Sequence, residues 1–188
     1  MCYNRMAEIT ELLNAAAQGE KASKEALLEA VYAELHRLSA ATLRRERSDH
    51  TLQPTALVNE AYMRLVGDKP LRFASRAHFF ITAARTMRRI LIDHARSHRA
   101  SKRFGNLKRV DFDAQSIAVD EQAEDLLLLD KALEGLAALD ARQARVVELR
   151  FFSGLSVGET GAVLGISEKT VKRDWALARV WLEKEIRG

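Results

Sequence analysis

Apolar residues recur at spacings of three and four along almost the whole chain, the period of helices that bury one side. Ile9, Leu12, Leu13 and Ala16 mark a first helix ending near Gly19. Leu27, Leu28, Val31, Leu35 and Leu38 mark a second, which runs into the basic Arg44-Arg45-Glu46-Arg47. Pro54 stands where a first-turn proline is tolerated and opens a third helix with Leu57, Val58, Ala61, Tyr62 and Leu65 inward. Gly67-Asp68-Lys69-Pro70 breaks it. After a loop to Ser75, a long helix carries Phe80, Ala83, Ala84, Met87, Leu91 and Ala95 at helical spacing. Residues 104–124 have weak periodicity and read as a linker. A second helical unit then begins near Asp125. Leu126, Leu129, Leu133 and Leu136 line its first helix, and Asp140 caps the next, which holds Ala144, Val147 and Phe151. The expected architecture is all-α: two small helical domains, residues 1–103 and 125–188, joined by a linker over 104–124.

The end of the chain carries the sharpest local signals. Ser156-Val157-Gly158-Glu159 has the capping-box spacing, a hydroxyl followed three residues later by a carboxylate, and marks a helix start. Val157, Val163 and Leu164 give that short helix a buried side. Leu164-Gly165-Ile166-Ser167 supplies a turn: glycine allows the left-handed backbone that ends one helix, Ile166 plugs the corner and Ser167 caps the next. The following helix, Glu168 to Ile186, places Val171, Trp175, Ala178 and Leu182 on one stripe. Lys169, Thr170, Lys172 and Arg173 crowd its first turns. This is the pattern of a helix-turn-helix, in which the start of the second helix enters the major groove of DNA. A pair of amphipathic helices with solvated basic residues would give the same local pattern.

Charge sharpens that reading. The net charge of +4 and the isoelectric point near 9.4 are only mildly basic, but the distribution is uneven. Arg85 to Arg103 holds seven Arg or Lys residues against the single acid Asp93. Asp111 to Asp125 holds six acids (Asp111, Asp113, Asp120, Glu121, Glu124 and Asp125) and no base. A polyanion-binding face thus stands beside an acidic tether. Cys2 is the only cysteine, so an intrachain disulfide is excluded and a reducing compartment fits. No apolar run approaches the roughly 18 residues of a membrane span. With Glu8 and Glu11 near its start, the N-terminus does not read as a secretion signal. A cytoplasmic protein without membrane insertion is expected.

Several motifs in order resemble a known family. Leu149-Arg150-Phe151-Phe152-Ser153-Gly154-Leu155-Ser156, Glu159, Leu164-Gly165-Ile166-Ser167 and Thr170-Val171-Lys172 resemble the fourth conserved region of bacterial sigma factors. Thr51-Leu52-Gln53-Pro54-Thr55-Ala56-Leu57-Val58-Asn59-Glu60-Ala61-Tyr62 is similar to the second region. So are Arg76-Ala77-His78-Phe79-Phe80 and Met87-Arg88-Arg89-Ile90-Leu91-Ile92-Asp93-His94-Ala95-Arg96. Together these look like the small two-domain, extracytoplasmic-function (ECF) type, and the resemblance covers nearly the whole chain. Three positions depart from the common pattern. Arg173-Asp174-Trp175 stands where Ser-Arg usually follows Thr-Val-Lys, Gly161 where alanine is usual, and Phe79 near where tryptophan is common.

The resemblance implies a protein without catalysis, cofactor or metal that binds core RNA polymerase, selects a promoter and helps to open it. The first domain would bind polymerase and read the −10 element, and the second would read −35. Ser167, Lys169, Thr170, Lys172 and Arg173 would then meet the −35 duplex, as phosphate or base-edge contacts. Phe73 and Phe79 would hold melted −10 bases, while Arg76, Arg85, Arg88, Arg89, Arg96 and Arg99 track the phosphates. Asn59, Glu60 and Arg64 would dock on polymerase. The acidic linker would lie in a basic channel of the polymerase, although a plain solvated spacer fits its composition too. An anti-sigma factor is a partner compatible with the family.

Two other classes compete. A helix-turn-helix regulator that is not a polymerase subunit would use the same C-terminal reader, but has no need of the basic-aromatic block at 73–103. A helical metalloprotein would use His94 and His98, four residues apart beside Asp93. Nearby arginines and the lack of a third ligand cluster oppose it.

Overall fold

The structure, a computed structural model, describes residues 21–43, 54–66, 75–104 and 114–187. Among them are seven α-helices and no strand. They are α1 (Lys21–Leu43), α2 (Pro54–Val66), α3 (Arg76–Phe104), α4 (Ala114–Leu139), α5 (Ala141–Val147), α6 (Val157–Leu164) and α7 (Glu168–Arg187). A π-helical segment, Glu148–Phe152, continues α5. The helix expected around Ile9 to Ala16 lies outside the described residues.

Local chemistry sets most of the boundaries. Pro54 opens α2 as the spacing predicts. At the start of α3, Ser75 Oγ accepts from the His78 N–H at 3.1 Å, a side-chain cap on an otherwise orphaned donor. Asp140 Oδ1 accepts from the N–H groups of Arg142 and Gln143, both at 3.0 Å, and begins α5. The linker differs from expectation. Residues 114–124 are helical and belong to α4, so the helix starts well before Asp125. Sparse leucines hid it, since the apolar stripe that betrays an amphipathic helix begins only at Leu126.

α3 occupies the middle of the molecule. Leu57, Val58 and Ala61 of α2 pack with Val31, Leu35 and Leu38 of α1, and Phe79, Phe80, Ala83, Ala84 and Met87 of α3 complete that region. The same buried cluster continues through Ile90 and Leu91 into Leu133 and Leu136 of α4, then Val147, Leu149 and Phe152. One continuous apolar core therefore joins both halves of the chain through α3. Phe151, expected inward, is only half-buried, whereas Phe152 is fully buried. The π segment explains the shift. Its wider turn, with hydrogen bonds reaching five residues, delays the inward position by one residue. The Leu149 carbonyl accepts from the Leu155 N–H at 3.1 Å and from the buried Ser153 hydroxyl, fixing the exit from this turn.

Candidate nucleic-acid interface

The geometry of α6 and α7 follows from three local devices. Ser156 and Glu159 form the full capping box: Glu159 N–H donates to Ser156 Oγ at 3.2 Å, and Ser156 N–H to Glu159 Oε2 at 2.8 Å. Gly165 ends α6 with φ +67°, the left-handed region that glycine enters without steric cost. Gly161 lies against the turn itself. A Cβ there would stand 2.7 Å from the Ile166 carbonyl oxygen, while the Ile166 N–H donates to the Gly161 carbonyl at 3.0 Å. The turn thus folds back onto α6 more closely than a Cβ at this position would allow without a shift of the backbone.

Ser167 caps α7 by accepting from the Thr170 N–H at 3.2 Å, and its hydroxyl lies 2.9 Å from that of Thr170. Val171, Ala178 and Leu182 are buried and Trp175 packs against the core. That leaves Ser167, Lys169, Lys172 and Arg173 exposed and Thr170 half-buried at the start of the helix. The residues expected to form one reading face are therefore brought together at one end of α7. The Arg150 guanidinium lies 4.4 Å from the Trp175 ring centroid, and the half-buried indole packs against the core.

Sequence reasoning missed two residues here. Asp174 is almost completely buried on the apolar stripe of α7, and its Oδ2 accepts from Arg142 Nε at 2.6 Å. Its Oδ1 accepts from Arg173 Nη2 at 3.3 Å and Nε at 3.4 Å, and from Arg142 Nη2 at 3.4 Å. The signal was present: a carboxylate three residues after Val171 falls on the buried side, where an ion survives only if paired. The hydrogen bond and charge of Asp174 raise the Arg142 guanidinium above its ordinary pKa, with a smaller contribution from Asp140. Asp140 is shifted the other way. The Gln143 backbone N–H is the largest cause of its lowered pKa; partial burial opposes it, and Arg142 and the Gln143 side chain assist.

The basic side of α3 is less open than its composition suggests. Arg88 is mostly buried between carboxylates of the second half. Its Nε donates to Asp130 Oδ1 at 2.8 Å, Nη1 to Glu148 Oε1 at 2.7 Å and Nη2 to the Asp130 carbonyl at 3.0 Å. Arg85 reaches Glu148 at 3.6 Å and Arg96 reaches Asp130 at 3.4 Å, both from exposed positions. Arg89 and Arg99 are exposed. From α1, Arg37 bridges Glu34 at 2.6 Å and Glu159 of the capping box at 3.0 Å.

Phe79 requires a correction. It is fully buried, edge-on to Phe80 with ring centroids 5.1 Å apart, so its ring is not offered to a base. α3 is covered on more than one side, and two consecutive aromatics can both point inward. Phe73 lies outside the described residues, as does the side chain of Arg76. On α2, Asn59, Glu60 and Arg64 share an exposed face. Tyr32 donates to Asn59 Oδ1 at 3.1 Å, and Arg64 links Glu60 to Asp93, at 2.5 and 3.2 Å.

Among the described residues, no group of three or more His, Cys, Asp or Glu stands where it could hold a metal ion. None of their helices is long and apolar enough to cross a membrane. A family model described as ECF sigma factor matches the chain over residues 6–188. No curated protein and no solved structure matches it.

Proposed function

Because the chain belongs to the ECF sigma factor family, we propose that it binds core RNA polymerase and directs initiation at a defined set of promoters. The family is one of non-catalytic transcription regulators. In this reading α6 and α7 read the −35 duplex through Ser167, Lys169, Thr170, Lys172 and Arg173. The observation that carries it is the segregation on α7: an apolar side held in the core and a cationic, hydroxyl-bearing end left exposed beside a tightly specified turn. Such an end fits the major groove, where Lys and Arg reach guanine edges or phosphates and Thr meets either base.

The first half, residues 1–103, takes the −10 element and the polymerase. Asn59, Glu60 and Arg64 form the polymerase-facing row on α2. Arg89 and Arg99 are the arginines of α3 best placed to meet phosphates, with Arg85 and Arg96 joining as their distant carboxylate partners are exchanged. Phe73, three residues ahead of α3 in the sequence, is the aromatic left to hold a melted base. The acidic residues over 104–124 connect the two halves, and an anti-sigma factor would be the natural protein partner.

Run-off transcription with core polymerase on a genomic library, read by sequencing, tests this proposal. Transcripts are expected to start at discrete positions sharing upstream elements, and only when polymerase and this chain are both present. Start sites that do not change when the chain is omitted would sink it.

A further inference from the structure

Asp174 is the most deeply buried charged residue among the described residues, with 1% of its surface exposed. It lies where the spacing of α7 calls for an apolar side chain. Taking a carboxylate out of water costs about as much as a well-made pair returns, so a buried ion pair is a poor device for stability alone. This carboxylate, moreover, engages two guanidiniums instead of one. Arg142 comes from the start of α5 and Arg173 from α7, and each uses its Nε and Nη2 donors on Asp174. A guanidinium has five N–H donors in a planar fork. The donors not turned toward Asp174 remain available, and the two side chains stay 48% and 62% exposed. One buried negative charge therefore holds two half-open positive charges, and one of them, Arg173, follows Lys172 directly and Lys169 by one helical turn on α7.

We infer that Asp174 is a positioning residue for DNA recognition, which holds Arg142 beside Arg173 so that Arg142, from outside the recognition helix, contacts the phosphate backbone flanking the −35 duplex. The inference rests on the reading that α7 enters that duplex. A phosphate is the fitting target because Arg142 is tied back by its inner edge to a carboxylate on the buried side of α7. With Nε and Nη2 committed to that carboxylate, the side chain has less freedom than an unpaired arginine to extend and follow base edges. Phosphate contacts of this kind fix register and add affinity without adding sequence information.

The test uses the full chain assembled with core polymerase and a pool of short duplexes with a randomised centre. Selection and sequencing define the preferred duplex, and its affinity is then measured across a range of KCl concentrations. Arg142→Ala is expected to retain the wild-type preference, bind all duplexes roughly tenfold more weakly and flatten the log–log salt slope by about 1. Asp174→Asn should reproduce most of that loss and add little in the Arg142→Ala background. Arg142→Lys, which keeps the charge but not the fork, should recover the slope and only part of the affinity. A role confined to joining α5 and α7 would lower the melting temperature without changing the salt slope, and that result overturns the inference. If Asp174→Asn fails to fold, Arg142→Ala at its half-exposed site still decides. Wild-type affinity and slope in folded Arg142→Ala, with Lys172→Ala weakened, would refute the clamp and leave the α7 reading standing. If wild type enriches no sequence and Lys169→Ala and Lys172→Ala change nothing, the α7 reading falls, and the clamp with it.

Discussion

Replacing Phe79 by alanine would empty a fully buried site edge-on to Phe80. A loss of about 3–5 kcal/mol is expected, measured by urea unfolding, and a pre-melted template should not rescue the resulting transcription defect. Arg89→Ala, on the exposed side of the same helix, should leave stability within about 0.5 kcal/mol of wild type. The contrast shows what periodicity can and cannot separate. It placed Phe80, Ala83, Ala84 and Met87 inward correctly, because those residues follow one stripe. It could not place Phe79, because a helix covered on several sides has no single stripe. Caps, by contrast, are written within four residues, and Asp140 was legible for that reason. Its carboxylate has a lowered pKa in the folded chain, so the unfolded chain takes up the proton first as pH falls. The cap's contribution is therefore complete above the unfolded value, about 3.8, and disappears as pH drops through the lower folded value. Asp140→Ala should cost about 1 kcal/mol at neutral pH, and the gap to wild type should narrow in acid, as equilibrium unfolding at the two pH values would show.

At the scale of elements, the turn between α6 and α7 was readable residue by residue, and two glycines within it do different work. Gly165 has a left-handed backbone with open space around it, so Gly165→Ala should cost about 1 kcal/mol from the backbone alone. Gly161 has no such strain but faces the Ile166 carbonyl, which belongs to the backbone and cannot rotate aside. Gly161→Ala should cost about 1–3 kcal/mol and speed exchange of the Ile166 amide proton, because the bond it makes to Gly161 must lengthen. Unfolding curves and hydrogen exchange would separate the two effects; an unchanged Ile166 amide would mean that the turn accommodates the methyl without moving. Less of the π segment could be foreseen. An extra residue in a helical turn leaves the same apolar letters in the sequence, and only packing against α3 shows that Phe152 rather than Phe151 points inward. The start of α4 was missed because residues 114–124 lack the leucines that announce a buried face.

For the whole molecule, the contacts between the two halves join residues far apart in sequence: Arg88 meets Asp130 across 42 positions and Glu148 across 60. No local period encodes such a meeting, so the arginine-rich side of α3 looked open from the sequence and is partly covered in the structure. Arg88→Ala would leave Asp130 and Glu148, both largely buried, with only the longer ion pairs to the exposed Arg96 and Arg85. A loss on the order of 3 kcal/mol is expected from unfolding curves, with Glu148→Gln costing less because Asp130 still holds Arg88. The same cradle has a thermodynamic consequence for any polyanion that must reach Arg88. Only molecules in which the cradle has parted are competent, so the observed dissociation constant is the intrinsic one divided by their fraction. Each 1.4 kcal/mol needed to part it weakens apparent binding by about tenfold. Stability and affinity should then move in opposite directions. The double variant Asp130→Asn/Glu148→Gln is expected to unfold at lower urea concentration yet bind a single-stranded DNA oligonucleotide more tightly, by fluorescence anisotropy, than the wild-type chain. If both fall together, Arg88 serves the core and never exchanges its carboxylates for phosphates.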